Sequence, residues 1–152
     1  MLYREVDILR ILGVINLLYT LKGLSHLLDR FMRELKIIEV KSEIGAGTRG
    51  ASMGVDAVKI AALDFGSRYF KTHASVEVAT ENHLLLESTG NQHAKRISGI
   101  LTMVERVSEE VCKVLKNDQF PIVLAGDHST AAGTISGIKK AFPKAQLGVI
   151  WI

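Results

Sequence analysis

The stretch FPIVLAGDHSTAAGTISGIKKAF, residues 120–142, changes its periodicity in mid-course. Its first six residues are an almost unbroken apolar run, as in a strand buried on both faces, with Pro121 tolerable near the start. A polar turn, Gly126-Asp127-His128-Ser129, follows. Beyond it Ser129 or Thr130 can cap a helix whose last turn carries Lys139 and Lys140, favourable for the helix dipole, and which Pro143 stops. Another apolar run, LGVIWI (Leu147 to Ile152), comes next and is expected to be a further strand. Strand, turn, helix and strand in this order are the repeating unit of a parallel sheet.

The same unit can be read upstream. LKIIEV (Leu35 to Val40) is a short apolar run with β-branched residues, and after a glycine-rich loop VDAVKIAALDF places Val55, Val58, Ala62 and Phe65 at helical spacing. ASVEVA (Ala74 to Ala79) is a candidate second strand, joined by a polar connection to a long helix. In that helix Ile97, Ile100, Leu101, Val104, Val107, Val111, Val114 and Leu115 form an apolar stripe that ends at Asn117 and Asp118. The expected fold is therefore α/β, a three-layer, doubly wound parallel sheet over residues 35–152.

Residues 1–34 read differently. Ile8, Ile11, Leu12, Ile15, Leu18, Leu21, Leu24, Leu27, Leu28 and Phe31 recur at three- and four-residue steps, as on an amphipathic helix. Arg10, Asn16 and Lys22 interrupt the apolar run short of the ~18 residues that a membrane span needs, and no signal-peptide cleavage site follows. Two readings stay open: a helical extension belonging to the fold, or an upstream addition before a natural start at Met32.

Composition narrows the classes. With 152 residues, 47% hydrophobic and 23% charged, the chain has the make-up of one globular domain. Its net charge of +3 is spread over scattered lysines and arginines without interleaved aromatics, so a nucleic-acid partner is not expected. The single cysteine, Cys112, excludes an internal disulfide; between Val111 and Val114 it reads as a buried, inert thiol in a reducing, cytoplasmic compartment.

Two loops carry candidate chemistry. Gly45-Ala46-Gly47-Thr48-Arg49-Gly50 fits G-x-G-x-x-G after a strand, the pattern of a dinucleotide turn. Against that reading, ASMG separates Gly50 from the helical pattern, and no acidic residue ends a second strand some twenty positions on; Asp64 lies inside a helix. The glycines are better read as a tight loop at an active-site mouth, with Gly47, Arg49 and Gly50 bordering it. In the second loop, Asp127 and His128 lie where α/β sheets place their chemistry, beyond the carboxyl end of a strand, and can serve as metal ligand, general base or helix cap; the pentapeptide alone does not decide.

VLAGDHSTAAGTISGIKKAFPKAQLGVIWI, together with GAGTRGASMGVDAVKIAAL, resembles the ureohydrolase family, the arginases and agmatinases, in its amino-terminal part; GTISG (Gly133 to Gly137) leans to the arginase branch. Ala125 stands where the family usually has glycine, and Val55 where it has proline. The resemblance implies an arginase-like fold, incomplete here, and hydrolysis of a guanidino substrate, arginine to ornithine and urea, by a pair of Mn²⁺ ions that activate a bridging water. It implies a metal-ligand role for His128 and a supporting role in the loop for Gly126, Asp127 and Ser129. Full-length relatives are commonly trimers or hexamers. The family continues from Ile-Trp into an Asp-Ala-His-x-Asp segment that delivers most ligands, and this sequence stops at Ile152, so the chain by itself is expected to be inactive. His26, His73, His83 and His93 have no matching context and read as surface or capping residues. A non-catalytic remnant of such an enzyme is the alternative, and a nucleotide-binding domain the more distant one.

Overall fold

The computed structural model describes residues 33–151. Its centre is β1 (Leu35–Val40), four of whose six residues are buried. The strand β2 (Ser75–Glu77) pairs with one edge of β1 and β3 (Phe120–Ala125) with the other, both parallel, so the order is β2-β1-β3. Ile38 lies opposite Val76 on one side and Val123 on the other. The strand expected over 74–79 is thus shorter. Its ends still hold to β1 through Ile37 N–H to Ala74 O at 3.2 Å and Val78 N–H to Glu39 O at 2.9 Å.

Four helices accompany the strands: α1 (Met53–Asp64) and the single turn α2 (Tyr69–Thr72) between β1 and β2, α3 (Ile97–Lys116) between β2 and β3, and α4 (Thr130–Ala141) after β3, with a 3-10 turn at Asn82–Leu86. From β1 to β2 the chain steps one way across the sheet, and from β2 to β3 it steps back over β1. Right-handed crossovers then put the connecting helices on opposite faces. The side chains agree. Ile38 and Val40 point into a core with Val78, Met103, Val107, Val111 and Val114. Glu39, between them in sequence and therefore on the opposite face, reaches Lys59 of α1 at 2.5 Å. This is the three-layer, doubly wound arrangement expected.

Helix α3 is as long as its pattern requires, and Val107, Val111 and Val114 of the stripe read in sequence are buried, with Val104 and Leu115 packed against the core; the departure is at the helix start. Gly99, Met103, Val107, Val111, Cys112 and Val114 are buried, whereas Ile97 and Leu101 are more than half exposed. Close packing explains the first turn: a Cβ on Gly99 would lie 2.3 Å from Leu84 and 2.7 Å from Ile44, so the helix seats its glycine there and leaves Ile97 outward. Helix α4 lies against α3 through Gly133 and Gly137. A Cβ at either would come within 2.8 Å of the Val104 or Ser108 carbonyl and of Val107 or Val111. The GTISG spacing is a close helix contact. Cys112 is buried and free.

Two expectations are corrected. In α1 only Val55 is fully buried, and Val58 and Phe65 are exposed; the sheet face on that side carries the fully buried Ile37 and the buried Glu39, whose carboxylate α1 meets with Lys59. The strand expected over LGVIWI is not seen in its described residues: 147–151 form no ladder, and Leu147, Val149, Ile150 and Trp151 are exposed. An apolar run becomes a strand only when a neighbour takes its backbone groups, and among the described residues none does. The helical stripe read over residues 1–34, including the start at Met32, lies outside the described residues up to position 32. No helix among the described residues is long and apolar enough to cross a membrane.

Candidate functional site

Strands β1 and β3 are neighbours whose following connections depart on opposite faces of the sheet. That is the topological switch point, where the crevice of an open α/β sheet lies outside the strand carboxyl ends. The loops leaving it are 41–52, after Val40, and 126–129, after Ala125. Gly126 N–H donates to Val40 O at 2.9 Å and ties the two together. Its lack of a side chain is required: a Cβ there would lie 2.3 Å from the Ser42 carbonyl oxygen and 3.0 Å from that of Ala51. Ala125 has no positive φ, so its departure from glycine costs no strain.

Asp127 fastens the loops side to side. Its Oδ2 accepts from Ser42 Oγ at 2.9 Å and Gly45 N–H at 3.1 Å, and its Oδ1 from Ser129 N–H at 3.0 Å and Ser129 Oγ at 2.5 Å. Burial works to raise its pKa, but the hydrogen bonds from Ser129, Ser42 and Gly45 outweigh it and hold the carboxyl below its ordinary value. Ser129 occupies the position before α4, yet neither it nor Thr130 caps the helix with its side chain: the Ser129 hydroxyl is spent on Asp127, and buried Thr130 turns toward Met103.

A second carboxylate shapes the 41–52 loop from within. Glu43, only 3% exposed, accepts from Gly50 N–H at 2.6 Å, Ser52 Oγ at 2.8 Å, Ser52 N–H at 3.3 Å and Arg49 Nη1 at 3.3 Å. The Ser52 hydroxyl, then the Gly50 amide, lower its pKa. Asn82 clips the loop's base, taking Glu43 N–H at 2.8 Å and giving its amide to Lys41 O at 2.7 Å. Gly47 and Gly50 have φ of 71° and 108°, which explains glycine at both. The dinucleotide reading fails on this geometry. Gly45 N–H faces Asp127, Gly47 N–H the Glu43 carbonyl, and Gly50 N–H the Glu43 carboxylate, so the three glycine amides already serve internal acceptors. Arg49 stays more than half exposed at the rim.

His128 projects from the β3 turn, exposed, with its ring 4.4 Å from Trp151 in a T-shaped arrangement. Both line an open cavity of about 390 Å³ with Asp127, Thr130, Thr134 and Ile150. Of the other described histidines, His73 Nδ1 lies 2.9 Å from Tyr69 O at the end of α2, and His83 lies 3.7 Å from Glu81. Among the described residues no three histidine, cysteine, aspartate or glutamate side chains gather to hold a metal ion. His128 offers one nitrogen, and Asp127 beside it is committed to the loops, so these residues do not by themselves fit a two-metal centre.

The structure brings Gly45, Gly126, Asp127 and Ser129 together, leaves Gly47, Arg49 and Gly50 exposed, and places His128 at the strand end against Trp151. Ser42, Glu43 and Asn82 were not singled out by sequence reasoning. The one available signal was a serine and a glutamate directly after a buried strand.

Residues 33–152 match the Arginase family. The arginase of Bacillus subtilis (strain 168) is 32% identical over 120 residues, covering 78% of this chain and 39% of that protein. The arginase of Bacillus caldovelox is 30% identical over 124 residues, covering 79% and 40%. The native structure of the latter superposes with a TM-score of 0.57 at 27% identity, over 72% of this chain and 37% of its own. This chain spans about two-fifths of the length of these relatives. A match that covers most of the chain, seen in sequence and again in backbone, places it by descent, and the chain belongs to the arginase family.

Proposed function

We propose that this chain forms one wall of an arginase-type hydrolytic site, in which His128 is a metal ligand and the 41–52 loop borders the mouth. The reaction in this reading is hydrolysis of a guanidino compound, arginine to ornithine and urea, with Mn²⁺ as the metal, in the cytoplasm and in a homo-oligomer such as a trimer or hexamer. Relatives named arginase support the hydrolase class. The observation that carries the site is the position of His128, at the switch point between β1 and β3, on a turn held by four hydrogen bonds to Asp127. Manganese, when bound, supplies the acidity that makes hydroxide available near neutral pH. One imidazole cannot hold a metal pair, so residues 33–151 need further ligands before they can turn over substrate.

A chimera tests the reading. Residues 33–152 are put in place of the corresponding segment of the Bacillus subtilis arginase, which supplies the remaining ligands. The chimera is expected to release urea from arginine with Mn²⁺, and His128→Ala to lower kcat by roughly 100-fold or more. A folded, Mn²⁺-loaded chimera without activity, or one indifferent to His128, contradicts it.

A further inference from the structure

The two faces of the sheet are covered by different physics. On one, α3 and α4 bury a continuous aliphatic core. On the other, α1 brings one fully buried side chain, Val55, and leaves Met53, Val58, Ile60 and Leu63 between 51% and 69% exposed. Beside the fully buried Ile37 on the Glu39 side of β1, what joins α1 to the sheet is charge. Lys59 Nζ lies 2.5 Å from the carboxylate of Glu39, which is 3% exposed, and Lys41, just past the end of β1, reaches Asp56 at 3.0 Å and Glu77 of β2 at 3.5 Å. Glycines with positive φ flank the helix, Gly50 before it and Gly66 after it, and a side chain on either would touch nothing. We infer that α1 is an electrostatically latched flap, closed by the Glu39–Lys59 and Lys41–Asp56 pairs, that opens from the sheet while the α3–α4 face stays folded.

The flap continues directly into the mouth loop. Ser52, the residue before α1, is held by Glu43 through both its N–H and its hydroxyl, so opening pulls on the contacts that position Arg49 and Gly50. The latch itself is independent of the proposed chemistry, since it needs neither metal nor substrate. Apolar contact of this extent alone does not hold a 12-residue helix in place. Removing Lys59 leaves the Glu39 carboxylate buried without its ion-pair partner, so that pair is lost rather than weakened, whereas the Lys41–Asp56 pair is partly exposed and contributes less.

Hydrogen exchange read by mass spectrometry on the whole 152-residue chain tests this. In Glu39→Gln and in Lys59→Met, amides of residues 53–64 are expected to exchange roughly tenfold faster or more, while those of residues 103–114 in α3 keep their protection. Lys59→Arg, which retains the charge, is expected to keep the flap closed. Should the variants fail to fold, the unaltered chain decides: raising NaCl from low to high concentration speeds exchange in 53–64 and leaves 103–114 unchanged, because the Lys41 pair is partly exposed and screened. Protection of α1 equal to that of α3 in the unaltered chain, or a loss that spreads equally over both helices, overturns the inference. Because nothing in the experiment involves urea release, its failure is distinct from failure of the chimera.

Discussion

Ser42 Oγ donates to Asp127 Oδ2 at 2.9 Å, across a separation of 85 residues, and joins the end of β1 to the turn after β3. This contact and its companion from Gly45 N–H tie together two loops that are distant in sequence. Asp127→Ala strands all four donors, and with charge-assisted bonds it is expected to cost about 2–4 kcal/mol in urea unfolding; Asp127→Asn, which keeps the shape and loses the charge, costs about 1–2 kcal/mol. Unfolding midpoints equal to that of the unaltered chain would remove Asp127 from its bracing role.

Acid acts on the same contacts. Burial raises the Glu39 and Asp127 pKa values, but the Lys59 side chain and the Ser129 and Ser42 hydroxyls respectively outweigh it; in Glu43 the Ser52 hydroxyl leads the lowering. All three carboxyls thus stand below their ordinary values in the folded state. Their stabilisation is fully present above the unfolded carboxylate range of about 4, and it is lost as pH falls through the lower folded values. Urea midpoints measured from pH 7 downward are expected to hold level to about pH 5 and then drop. A midpoint that rises on acidification contradicts the assignment.

What could be read from sequence was what repeats along the chain. The apolar runs of β1 and β3, and the long stripe of α3, gave the alternation and hence the parallel sheet, because burial on both faces leaves a pattern within a few residues. The His128 turn was legible because it follows a strand directly. Glu43 was not: its partners Gly50 and Ser52 are seven and nine residues away in an irregular loop, and no periodicity marks a carboxylate folded back on its own chain. The exposed Ile97 and the buried Met103 escaped for a related reason, since the seating of the first turn of α3 is set by Gly99 against Leu84 and Ile44, a tertiary contact. LGVIWI has the composition of a strand, but pairing depends on a neighbour that composition does not reveal.

Two glycine substitutions are expected to move stability in opposite directions. Gly126→Ala forces a Cβ against the Ser42 carbonyl and costs about 1–3 kcal/mol. Gly54→Ala in α1, where a Cβ meets nothing, gains about 0.5–1 kcal/mol through helix propensity. Urea denaturation of both variants checks the pair; a neutral Gly126→Ala would mean that the loops are not in contact as described.

The segment 147–151 presents Val149, Ile150 and Trp151 to solvent beside the cavity at β3, and Ile150 is 90% exposed. A contiguous apolar surface of this kind associates. Ile150→Lys is expected to raise the recovery of soluble monomer, read by light scattering at tens of micromolar. Unaltered chain that is already a clean monomer, or a variant no better than it, contradicts this.

The proposed function needs His128 as the metal-facing residue of the switch-point crevice. Titrating the chain with Mn²⁺ while following the histidine ring signals by NMR tests it directly, since the paramagnetic ion broadens the resonances nearest to it. The expected result is weak binding that broadens His128 ahead of His73, His83 and His93, an order that His128→Ala abolishes. Broadening that begins at any other histidine, or that leaves His128 untouched, would contradict the assignment.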